Sequence, residues 1–130
     1  MSVNPMANRK NRAHRILVVD DELLIRETVK RALVLDGHTV ETAATGREAL
    51  CLFEQDKFDL VVLDYEMPDM KGDELSLLIK ALAPNQPIAI LTGYREAVVR
   101  SVLTDVDLIL SKPFDPQELR TAANRIFANG

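Results

Sequence analysis

Five side chains that lie far apart in this sequence could act on one phosphoryl group: the pair Asp20-Asp21, then Asp64, Thr92 and Lys112. Each follows a short apolar run, Ile16–Val19, Leu60–Leu63, Ile88–Leu91 and Leu108–Leu110, the last with Ser111 in between. Three carboxylates brought together repel one another unless a cation joins them. Hard oxygen ligands with open positions suit Mg2+, which keeps several waters and shares its shell with phosphate. Lys112 is a point charge fit for phosphate oxygens, and Thr92 offers a short hydroxyl donor. Together these groups suit transfer of a phosphoryl group to a carboxylate, with the cation and the amine neutralising the charge that develops. Asp64 is the best candidate nucleophile, because its strand is expected between the strand of the acid pair and that of Thr92. Taken singly the acids are ambiguous: Asp20 and Asp21 could equally cap the helix that follows, and Asp64 could be a loop acid.

These residues meet only if the apolar runs are parallel strands of one sheet. Short continuous apolar runs separated by helix-period stretches are the pattern of buried parallel strands in βα repeats. All C-terminal strand ends then share one edge, where open α/β sheets bind ligands. Thr39–Ala43 alternates polar and apolar, as an edge strand with one wet face does. Helical stripes are expected at Ile25/Val29/Ala32/Leu33, Ala49/Leu52/Phe53, Leu75/Leu78/Ile79/Leu82, Val98/Val99/Val102/Leu103 and Leu119/Ala122/Ala123/Ile126/Phe127. Asp36-Gly37 is expected to close the first helix through a left-handed glycine. The result is an α/β fold, a doubly wound five-stranded parallel sheet in the order 2-1-3-4-5 with five helices.

At 130 residues the chain has room for one domain. Residues 1–14 form a basic tail expected to be disordered, residues 15–130 form the domain, and no output domain is expected. Met1 to Arg15 hold four basic residues and no acid, leaving 12 basic and 20 acidic residues, a net of −8, in the rest. So acidic a body argues against nucleic acid as a direct partner. No apolar stretch is long enough for a membrane span, and no h-region follows the basic start, so a cytoplasmic protein is expected. Cys51, the only cysteine, is expected on the core side of the second helix, and His14 and His38 on the surface. The loop Tyr65–Gly72 is expected to be too polar for the core, with Met67-Pro68 shaping it.

Four segments then carry a resemblance. Val18-Val19-Asp20-Asp21-Glu22, Leu63-Asp64-Tyr65-Glu66-Met67-Pro68, Leu91-Thr92-Gly93 and Ser111-Lys112-Pro113-Phe114 resemble, in order and spacing, the signatures of the receiver domains of two-component response regulators. The likeness runs from about Arg15 to Ala128. It implies a flavodoxin-like fold in which Asp64 is phosphorylated by a histidine kinase or a histidine phosphotransfer protein. It implies Asp21 as direct Mg2+ ligand, Asp20 acting through water, and Asp64 and the backbone carbonyl of Glu66 completing the coordination. Lys112 would pair with the phosphoryl group and Thr92 would swing in to it. The Lys112-Pro113 bond is expected to be cis, and Glu66 and Tyr94 are expected to flank the path of the hydrolytic water.

Two positions depart from the family pattern. Ile109 stands where many receivers carry Tyr or Phe, and the span from Thr92 to Lys112 is short for the family. Both departures fall on the usual output face, so a modified signalling surface or a phosphoryl relay is expected. The chain is expected to be a phosphoacceptor that assists its own phosphorylation and slow dephosphorylation, not an enzyme. A phosphorylation-independent scaffold is the alternative, which Ile109 favours and the intact acid, hydroxyl and amine set opposes. An aspartyl-phosphate phosphatase is more remote, since such enzymes usually place a second Asp where Glu66 stands. The output protein and the oligomeric state are not legible.

Overall fold

The computed structural model describes residues 13–94 and 106–129. Five strands, β1 (Arg15–Val19), β2 (Thr39–Ala43), β3 (Leu60–Asp64), β4 (Ile88–Thr92) and β5 (Leu108–Ser111), form one parallel sheet in the order β2-β1-β3-β4-β5. Among the described residues four helices join or follow them: α1 (Leu23–Leu35), α2 (Gly46–Gln55), α3 (Gly72–Leu82) and α4 (Pro116–Asn129). The helix expected at Val98–Leu103 lies outside the described residues, as does nearly all of the basic tail.

Two cores follow from the period of two along each strand. Leu17, Val19, Val61, Leu63, Ile88 and Ile90 face α2 and α3, where they meet Ala49, Phe53, Leu75 and Ile79. The intervening Ile16, Val18, Leu60, Val62, Ala89 and Leu91 face α1 and α4, against Val29, Ala32, Leu33, Leu119 and Ala123. Burial on both faces is why β1, β3 and β4 read as unbroken apolar runs. β2 sits at the edge with Thr39 exposed, as its alternation implies. Gly37, at φ 92°, ends α1 in the left-handed region.

Several side chains differ from the sequence expectation. Cys51 is exposed. It follows the inward-facing Ala49 by two residues, about 200° around the helix, and so points outward. Leu78 and Leu82 are exposed too, because the buried stripe of α3 is Gly72, Leu75, Ser76 and Ile79.

His38 is buried and His14 half-buried, contrary to a surface placement. The His14 backbone N–H donates to His38 Nδ1 at 3.0 Å, and the His14 ring stacks on Phe127 with centroids 3.8 Å apart. Burial, joined by the nearby His14 charge, holds the His38 imidazole below its ordinary pKa, against the opposing charges of Asp36 and Asp59. Arg120 of α4 bonds Asp36, the C-cap of α1, tying the two helices of that layer together.

One close approach fixes how α3 leaves the sheet. The Gly72 N–H donates to the Tyr65 carbonyl at 2.8 Å. A Cβ on Gly72 would stand 2.7 Å from the Tyr65 Cα and 3.0 Å from the Asp64 carbonyl oxygen, both of them backbone. Gly72→Ala is therefore expected to destabilise the protein by about 2 kcal/mol or more, read as a lower urea midpoint at unchanged slope.

Candidate functional site

Strand register alone brings the site together. Val19 of β1 pairs with Leu63 of β3, so Asp20 and Asp64, each one residue further on, emerge side by side. Asp64 pairs with Leu91 of β4, and Thr92 pairs with Ser111 of β5. Lys112 follows, its N–H held by the Thr92 carbonyl at 2.8 Å. The Lys112-Pro113 peptide bond is cis.

Asp20 is fully buried and bonded through every oxygen it offers. Oδ1 accepts from the Glu22 N–H at 2.9 Å, Oδ2 accepts from Lys112 Nζ at 3.3 Å, and its carbonyl accepts from the Arg26 guanidinium at 2.8 Å. The helix-capping alternative is thereby displaced, since the N-cap of α1 is Glu22 and no side chain caps it. Asp21, beside it, is exposed. Carboxylate oxygens of Asp20, Asp21 and Asp64 all lie within 4.8 Å of one another.

Lys112 Nζ donates to Asp64 Oδ1 at 3.0 Å as well as to Asp20, making one ammonium serve two buried carboxylates. Burial pushes the Asp64 carboxyl up to about 6; the Lys112 hydrogen bond opposes this, the Asp20 charge adds to it, and the Glu66 N–H opposes it. Burial also works against the Lys112 ammonium, yet hydrogen bonding to Asp64 and the charges of both acids outweigh it and raise its pKa. Among the described residues Lys112 is the one cation bonded to these three carboxylates, which leaves the cluster short of positive charge. All-oxygen donors with one exposed member fit a hard divalent ion such as Mg2+, held by Asp20, Asp21 and Asp64.

Thr92 is fully buried, and its Oγ1 accepts from the Tyr94 N–H at 3.0 Å. The Tyr94 side chain is exposed at the rim. The Glu66 carboxylate lies 3.4 Å from Lys71 Nζ at the surface. Its backbone N–H favours the ionised form of the Asp64 carboxylate. Ile109 pairs with Ile90 and packs half-buried on the core beneath α2 and α3.

Met67 is 8% exposed and belongs to that same core, so the loop after Asp64 is anchored inside the protein and not merely draped over it. Sequence reasoning also missed Asp69, whose carboxylate accepts from the backbone N–H groups of Gly46 and Arg47 at 3.1 and 3.0 Å. Its partners lie 23 and 22 residues earlier, so no local pattern marks it.

A carboxyl whose pKa rises on folding contributes stability that is complete below its ordinary value of 3.8 and is lost as pH climbs through about 6. Asp64→Asn removes that loss. The metal-free variant is expected to be more stable than the wild type by on the order of 2 kcal/mol near neutral pH, and by little below about pH 4. Thermal melts at the two pH values check this. Saturating Mg2+ is expected to narrow the gap by stabilising the wild type more.

This geometry agrees with the comparisons to known proteins. The response regulator receiver domain family matches residues 16–124. The chain is similar to the response regulator MprA of Mycolicibacterium vanbaalenii, 42% identical over 108 residues, which covers 81% of this chain and 46% of that protein. It thus spans about half the length of the curated relatives it matches. Among solved structures, the CheY-like receiver domain protein of Methanospirillum hungatei superimposes with a TM-score of 0.82 at 34% identity, covering 88% of this chain and 94% of that one. The response regulator TrrA of Thermotoga maritima, solved in complex with Mg2+-BeF, gives 0.78 at 38% identity, covering 86% of this chain and 97% of that one. With the sheet order, the strand-end acids and the matched residues in agreement, the chain belongs to the receiver domain family of two-component response regulators.

Proposed function

We propose that this receiver accepts a phosphoryl group on Asp64 from a phosphohistidine of a histidine kinase or histidine phosphotransfer protein. The observation that carries this reading is the Lys112 ammonium held between Asp64 and Asp20, with Asp21 within ligand distance of both. The Asp64 carboxylate attacks phosphorus, the P–N bond breaks, and its electron pair returns to the donor imidazole. An acyl phosphate is left on Asp64.

Lys112 is placed to follow the charge from carboxylate to phosphoryl oxygen without leaving the site. Thr92 keeps a hydroxyl hydrogen to donate, because its oxygen accepts from Tyr94. Mg2+, when bound, supplies charge neutralisation for the phosphoryl oxygens. A buried carboxyl near 6 is mostly ionised at neutral pH, as a nucleophile must be.

The protein acts in this reading as a phosphoacceptor in the cytoplasm, not as a turnover enzyme. It passes the signal on by phosphorylation-dependent protein contact or by relaying the group onward. Ile109 lends some support to a scaffold that binds partners without phosphorylation, and the same experiment decides between the two.

Intact mass after incubation with a small acyl-phosphate donor is expected to rise by one phosphoryl group, only with Mg2+ and only with Asp64 present. No gain in the folded wild type would transfer the reading to the scaffold. Tyr94→Ala is expected to shorten the lifetime of the acyl phosphate about twofold or more by opening the rim to water. Its decay, followed by mass after the donor is removed, checks this, and an unchanged rate removes Tyr94 from the water path.

A further inference from the structure

The loop after Asp64 is held at three kinds of point. At its base the Tyr65 N–H donates to the Leu91 carbonyl at 2.9 Å, and Gly72 closes back on Tyr65. In its middle Met67 is sunk into the core, and Met70 fills the space over Gly46, where a Cβ would stand 2.5 Å from the Met70 Cγ. At its tip the Asp69 carboxylate takes one N–H with each oxygen, from Gly46 and Arg47.

The start of α2 does not need Asp69 as its only cap. Thr45 is the N-cap and accepts from the Glu48 N–H at 3.0 Å, while Glu48 reaches back to the Ala44 N–H. What Asp69 adds is a tie between that helix and the loop. Burial alone would raise its carboxyl, but the Gly46 and Arg47 amides outweigh this and hold it low, so the tie stays charged across the working pH range. Between the tie and Asp64 in the chain stand Tyr65, whose N–H is held by the Leu91 carbonyl, and Glu66, whose backbone N–H favours the ionised Asp64 carboxylate.

We propose that Asp69 is a positioning residue for the phosphoryl and metal site: by fastening the loop tip to the first turn of α2, it holds the Glu66 backbone in place against Asp64. The inference rests on the phosphoacceptor reading above. It assigns α2 a part in the site although α2 contributes no residue to the acid cluster. Outer partners that orient the groups around a metal typically change its affinity by about 10–100-fold when removed.

The test is calorimetric titration of the full chain with MgCl2, beside thermal melts, for the wild type, Asp69→Ala, Asp69→Asn and Thr45→Ala. Asp69→Ala is expected to bind Mg2+ about tenfold more weakly, the low end for such partners. Asp69→Asn is expected in between, since its amide oxygen keeps one of the two acceptors, and it carries the test if the alanine variant does not fold. Thr45→Ala removes a cap from the same helix without touching the loop, so it should lower the melting temperature and leave Mg2+ affinity unchanged.

Wild-type affinity in a folded Asp69 variant would overturn the proposal, as would equal weakening in Thr45→Ala. A wild type that neither binds Mg2+ nor gains a phosphoryl group would overturn the phosphoacceptor reading itself, and the role of Asp69 with it.

Discussion

Repulsion among Asp20, Asp21 and Asp64 is the constraint around which this protein is arranged. Carboxylates this close are costly, and two of them are buried. Among the described residues the answer is the ammonium of Lys112, which follows the edge strand β5. Asp20 can afford its burial because a backbone N–H and Lys112 satisfy its two oxygens. Asp64 is less well served: burial, with the Asp20 charge adding to it, raises its pKa despite the Lys112 hydrogen bond. The unbalanced negative charge is what suits the site to a divalent cation.

Holding such a site open takes a scaffold that does not relax around it. Two apolar layers bracket the sheet, and register fixes the strand ends, because a slip of one would exchange the two sets of core side chains and force both layers to repack. The mobile chemistry is left to the loops at one edge, while the regular ladder beneath carries the stability. Even so, the loop after Asp64 is not free: Gly72 lies against backbone and Met67 reaches into the core.

Much of this was legible in the chain because it depends on short-range periodicity. Unbroken apolar runs marked β1, β3 and β4, alternation marked β2 as an edge, and parallel topology then had to gather Asp20, Asp21, Asp64, Thr92 and Lys112. What was misread depends on rotation about a helix or on partners far along the chain. Cys51 and Leu78 are apolar residues a little off the inward stripe of their helices, where composition gives no hint of direction. His38 is buried because His14 and Phe127, from opposite ends of the domain, close over it. Asp69 looks like any loop acid until the fold brings Gly46 beneath it.

A change at Asp64 has two residues through which it could travel, Ile109 and Thr92. Ile109 is branched at Cβ, has no polar tip, and packs against the core beneath α2 and α3, so it has little reason to exchange an outer for an inner position. Thr92 has more direct connections. Its hydroxyl oxygen holds the Tyr94 N–H, and its carbonyl holds the Lys112 N–H. Were the Thr92 oxygen itself to move toward a phosphorylated Asp64, it would give up the Tyr94 amide, which would need water or a new partner. The first structural consequence would then fall on the backbone at Gly93-Tyr94, with the Lys112 ladder bond kept. In a receiver lacking a ring at position 109, coupling through this backbone exchange needs no side-chain swing in β5.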